Sequence, residues 1–211
     1  GAGAGELRWS VPFPDALGRD FALSPTMPLM LTADTDSTVQ SWALADPLPQ
    51  LASSYSPGGF FGRMSFDAAG RRAVLVQHGN AVVLATGGGL SEAFREGNEL
   101  RDGDEAVFFG PDDAIAVLEK NPANRQQSVL RILEPQDNGQ WIARSWLGFD
   151  QSQPSCTRIS CIAGAAEEET LAICCDDGSV RVIRDVRNFH PMTTFRSDIF
   201  PLTQAALSRD G

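Results

Sequence analysis

The 211-residue chain has no stretch approaching the roughly 20 consecutive apolar residues that a membrane-spanning helix needs. No basic-then-apolar segment opens it, as a secretory signal would. Histidine is nearly missing, with only His78 and His190, and there is one tyrosine. A Ser–His or Cys–His pair therefore has few sources of a general base, and no G-x-S-x-G nucleophile turn is present. Neither G-x-G-x-x-G nor P-loop spacing occurs. "TGGGLSEAF" (86–94) has three glycines but no following lysine, and it reads as a flexible connection. Positive charge is in deficit. The 17 Lys and Arg face 27 Asp and Glu, for a net charge of −10 and a pI near 4.6. Such a surface repels phosphate backbones and anionic headgroups, which argues against nucleic acid as a partner and against membrane insertion of this segment.

Helical periodicity is also lacking. Only "LSEAFREGNEL" (90–100) offers a weak candidate for one or two turns. Cysteines are few: Cys156, Cys161, Cys174 and Cys175. Their spacing is not that of a zinc knuckle, and adjacent cysteines on a strand point to opposite faces. Two disulfides are one arrangement for an even count. The expectation adopted is reduced thiols serving as small apolar filler in a cytoplasmic protein, with no metal and no cofactor.

What is present is ordinary globular composition, 42% hydrophobic and 21% charged, with 20 glycines, 13 prolines and 12 phenylalanines. A single pattern recurs: an apolar strand, a polar turn, then an alternating strand. It appears in "LTADTDSTVQSWAL" (31–44), "LVQHGNAVVLAT" (75–86), "AIAVLEKNPANRQQSVLRILEP" (114–135) and "ICCDDGSVRVIRD" (173–185). Aligned on the first apolar residue after the turn, Val39, Val82, Leu130 and Val180 fall 43, 48 and 50 residues apart. Each unit is preceded by a short apolar strand: "FALSPT" (21–26), "MSFDAAG" (64–70), "VFFGPDD" (107–113) and "ISCIAG" (159–164), with "AALSRDG" (205–211) opening a fifth. Self-similarity at this period marks a repeat architecture, and turns such as "HGN" and "DDG" tolerate the positive φ that hairpins require. Four strands fit each unit; in the third they are expected at 105–109, 114–118, 129–134 and 141–146.

The runs "LSPT…LMLTADTDSTVQSWAL", "SFDAAGRRAVLVQHGNAVVL" and "CCDDGSVRVIRD" resemble degenerate WD-repeat β-propeller blades over residues from about 20 to the end. No repeat closes in Trp–Asp, "SWAL" at Ser41–Leu44 being nearest, and none carries the family's Gly–His pair. The resemblance implies an all-β β-propeller of four-stranded antiparallel blades, about four complete plus terminal fragments, forming part of a larger propeller. Residues 1–8 read as a linker or disordered start and 9–211 as the propeller segment. The blades lie near 20–60, 61–104, 105–155 and 156–200, with an incomplete one at 201–211. "LRWSVPF" (7–13) reads as a leftover outer strand.

Function then belongs to loops. Asp34, Asp36, His78, Asn80, Asp176 and Asp177 occupy equivalent turns and are expected on one face as candidate binding residues. Aspartate in such a turn also satisfies the turn's own amides, and two carboxylates fall short of a calcium loop. The expected role is a non-catalytic protein–protein interaction or scaffold module, the sensing or assembly domain of a larger protein. Its partner would be another protein chain or the remaining blades of a larger propeller. The alternative is a propeller hydrolase of lactonase or phosphoesterase type with a channel-bound metal. The expected inner strands offer it only Asp67 as a ligand.

Overall fold

The computed structural model describes residues 20–44, 48–56, 58–59, 62–96, 103–121, 124–148, 156, 158–186, 190–196, 202 and 204–208. The expected linker at 1–8 and strand at 7–13 lie outside them. Every regular element among the described residues is a strand. The first sheet holds β1 (Asp20–Leu23), β2 (Leu29–Ala33), β3 (Val39–Ala43) and β4 (Gln50–Tyr55). The second holds β5 (Ser65–Phe66), β6 (Arg72–Gln77), β7 (Asn80–Ala85) and β8 (Ser91–Arg95). The third holds β9 (Gly103–Phe109), β10 (Ala114–Asn121), β11 (Asn124–Pro135) and β12 (Trp141–Gly148), and the fourth holds β13 (Ile159–Gly164), β14 (Thr170–Cys175), β15 (Ser179–Arg184) and β16 (His190–Arg196). Each sheet is antiparallel with its strands in chain order, so each repeat folds as one blade. Among the described residues no helix is long and apolar enough to cross a membrane.

Cores sit between adjacent sheets, because each blade has two apolar faces. Leu31, Ala33 and Val39 of the first meet Ala73, Leu75, Val82 and Leu84 of the second. Val74, Val76, Ala81 and Val83 on the second sheet's other face meet Phe108, Ile115, Val117 and Trp141. Val107, Phe109, Ala116 and Leu130 meet Ile162, Leu171, Ile173 and Ile183. Leu31, Leu75 and Leu84 are fully buried, which stabilises the fold by about 2 kcal/mol each. A register shift recurs between the third and fourth strands of all four blades, at Ser41/Trp42, Val83/Leu84, Ile132/Leu133 and Val182/Arg184.

Several expectations change. Residues 91–95 of the helix candidate form strand β8, with Phe94 buried against Trp141 at a ring-centroid distance of 5.3 Å. Tertiary packing outweighs the weak local helical pattern. The polar insert after residue 118 is largely strand: Glu119 pairs with Val129 and Lys120 with Ser128. Buried Arg131 forms an ion pair with Glu119, and Ser128 Oγ accepts from Ile159 N at 3.0 Å, so polar residues are accommodated inside the sheet. His190 opens β16.

Val82 is one residue out of register. It packs towards the first blade, whereas Val39 and Leu130 pack towards the following one. The turn before β7 has only two residues, His78 and Gly79, both at positive φ (49° and 78°), as a tight hairpin requires. A one-residue slip flips the side chain to the other face, so Ala81 is the equivalent position.

The cysteines are not separate thiols. Cys161 lies opposite Cys174 across the β13–β14 ladder and is bonded to it, with Cα atoms 5.0 Å apart. Cys175 points to the other face of β14 and is bonded to Cys156, with Cα atoms 5.1 Å apart. The alternation that keeps neighbours from bridging each other lets each find a partner on its own face.

Candidate functional site

The first strand of every blade lines a common channel. A cavity of about 750 Å³ is walled by β1, β5, β9, β13 and residues 204–208. These first strands run in the same sense, so the channel has a mouth where they begin and another where they end.

At the beginning, Asp20, Arg63 and Glu105 converge. Asp20 Oδ2 accepts from Met64 N at 2.6 Å, tying the first blade to the second. Glu105 Oε1 accepts from Arg63 Nη1 at 3.3 Å and Oε2 from Ile162 N at 3.3 Å, so one side chain on the third blade joins the second and the fourth. Burial pushes the Glu105 carboxyl up to about 7 against the pull of Arg63, and it likewise raises Asp20.

At the other mouth, Asp67 is the centre. Its Oδ1 accepts from the amides of Arg71 and Arg72 at 2.8 and 3.1 Å, and Oδ2 from Arg72 Nε at 2.8 Å. Arg72 continues to Asp113 and lies over the rings of Phe108 and Trp141, 5.8 and 5.2 Å from their centroids. Trp141 Nε1 donates to Asp113 O at 3.1 Å. Burial is the largest influence on Asp113, and it raises that carboxyl.

The turns carrying the six sequence-derived candidates project from the ends of β2, β6 and β14, on the side where the first strands begin. Their side chains differ in availability. Asp34 Oδ1 accepts from Asp36 N at 3.0 Å and Thr38 N at 2.9 Å. Asp177 Oδ1 accepts from Ser179 N at 2.9 Å and Ser179 Oγ at 2.5 Å. Both are engaged with their own turns. Asn80 is buried, with Nδ2 donating to His78 O at 3.4 Å. Asp36, His78, Asp176 and Asp177 are exposed. Among the described residues no group of three His, Cys, Asp or Glu side chains converges as a metal site would. Sequence reasoning missed Asp20 and Glu105 because they immediately precede the apolar runs "FALS" and "AVFF". An acid one position before the run was the available signal.

A second surface is the outward face of the first blade. Ala22, Leu31 and Val39 face the second blade. The alternate positions Phe21, Leu23, Met30, Trp42 and Leu51 share the opposite face. Phe21, Leu23 and Leu51 are 65%, 57% and 53% exposed. Trp42 Nε1 donates to Thr32 Oγ1 at 3.0 Å, which lays the indole along the sheet.

No family model and no curated protein matches the chain. Among solved structures it resembles Sqt1 of Saccharomyces cerevisiae at a TM-score of 0.58 and 14% identity, over 80% of this chain and 45% of that one. At that identity the likeness is one of fold. The four sheets are blades of a β-propeller, and they do not close into a ring among the described residues. The chain spans less than half the length of Sqt1.

Proposed function

We propose that this chain is a non-catalytic protein-interaction module, an assembly segment of a WD-repeat-like propeller, and that the outward face of the first blade is where its partner docks. The observation that carries this reading is that face itself. It continues the series of three blade-to-blade interfaces, yet leaves Phe21, Leu23 and Leu51 in water. Exposed apolar side chains gathered on one sheet face in this way mark interaction sites.

The three existing interfaces define the occupant. The face turned to the following blade is lined by small and branched side chains: Ala22, Leu31, Ala33 and Val39 in the first, Val74, Val76, Ala81 and Val83 in the second, and Ala114, Ala116, Leu130 and Ile132 in the third. A sheet with an uncharged Ala- and Val-rich face, belonging to another protein chain, would complete the contact. The hydrolase reading would draw on Asp67 as a ligand; its carboxylate oxygens accept from the Arg71 and Arg72 amides and from Arg72 Nε, which favours a structural role for it.

The test is a photo-crosslinking amino acid at Leu51, with a control at exposed Arg71, in cells producing the protein. Crosslinks from Leu51 to β-sheet residues of another chain, absent at Arg71, are expected. No protein crosslink from Leu51, or equal crosslinking from both sites, would refute the reading.

A further inference from the structure

We infer that Glu105 is a proton-operated clasp at the channel mouth: ionised, it holds Arg63 across the opening, and protonated, it gives up its ion pair with Arg63 while keeping its bond to the fourth blade. This goes beyond the interaction reading and does not depend on it.

The geometry separates the two jobs onto two oxygens. Oε2 accepts from Ile162 N at 3.3 Å, a bond that a neutral carboxyl can still accept. Oε1 carries the ion pair with Arg63 Nη1, and that attraction disappears on protonation. Glu105 is buried, its side chain only 7% exposed, whereas that of Arg63 is 32% exposed and also feels the Asp20 carboxylate.

The groups around Glu105 can be counted by element. β1 contributes Asp20 and the residues before β5 contribute Arg63. β13 contributes the Ile162 amide, and the polar side chains that 204–208 bring to the cavity wall, Gln204 and Ser208, carry no charge. Asp67 and Asp113 sit at the other mouth. With Asp20 and Arg63 charged, ionising Glu105 takes the cluster from neutral to one net negative charge.

Burial is what places this change in the physiological range, since it raises the carboxyl from 4.5 to about 7 against the opposing pull of Arg63. Because the folded value lies above the unfolded one, proton binding favours the fold. The resulting stabilisation is complete below pH 4.5 and is lost as pH rises through about 7.

The experiment is a carboxyl-carbon NMR titration of Glu105 in the wild-type chain and in Arg63→Met, together with thermal unfolding from pH 5 to 8 for wild type and Glu105→Gln. The Glu105 midpoint should lie near 7, and it should move upward in Arg63→Met. The wild-type melting temperature should fall as pH rises, while that of Glu105→Gln stays level relative to it. A midpoint near 4.5, a midpoint unmoved by Arg63→Met, or parallel melting profiles would each overturn the inference. The NMR arm stands even if Glu105→Gln does not fold.

Discussion

Replacing Asp67 by alanine removes three hydrogen bonds at once and tests whether this acid is structural. Asp67 is 1% exposed, and its carboxylate accepts from two amides of its own hairpin and from Arg72 Nε. A hydrogen bond to a charged group contributes about 1.5–3 kcal/mol. The contribution here is discounted, because Arg71 is exposed and its amide can find water, and because the Arg72 side chain is 32% exposed and keeps Asp113. A loss of about 3 kcal/mol is the working figure. Asp67→Asn keeps one acceptor but presents an amide to Arg72, and should lose about half as much. Urea unfolding followed by tryptophan fluorescence suits the measurement, since Trp141 lies against Arg72. With a slope of about 2 kcal/mol/M, the Asp67→Ala midpoint should fall by about 1.5 M. A loss below about 0.5 kcal/mol would refute the reasoning, as would stabilisation of the wild type by calcium or zinc that Asp67→Ala abolishes.

Other outcomes follow from the same packing. Gly164→Ala should cost about 1–3 kcal/mol, because a Cβ there would meet the Phe108 carbonyl oxygen and come within 2.8 Å of Phe109 Cβ; a neutral result in urea titration would contradict that close approach. Arg131→Met removes a fully buried cation paired with Glu119 and Glu96. It should cost about 3 kcal/mol, and adding Glu119→Gln should recover part of the loss; additive losses in the double-mutant cycle would count against the ion pairs. Thiol titration of protein unfolded without reductant should find no free cysteine, as the two bridges require. Four reactive thiols would restore the expectation of reduced filler.

The sequence candidates were found by their turns, and turn chemistry is local. Asp34 and Asp177 bond amides two and four residues away, so a single short run reveals them. Asp36, His78, Asp176 and Asp177 are the exposed members. The channel acids act over longer spans. Glu105 reaches Ile162 57 residues on, and Arg72 reaches Asp113 41 residues on. No window of sequence contains both ends of either contact.

By itself the sequence determined the strand class, the repeat and the positions of the turns. Alternation and hairpin residues act within a few positions of one another. Tertiary structure alone decided that Val82 faces backward, that residues 91–95 extend as a strand and that Cys174 and Cys175 bond in opposite directions. It also decided that Asp67 serves a hairpin while Glu105 spans three blades. The physical reason is the same in each case: burial and partnership depend on which sheet lies alongside, and that neighbour is about one repeat away in the chain.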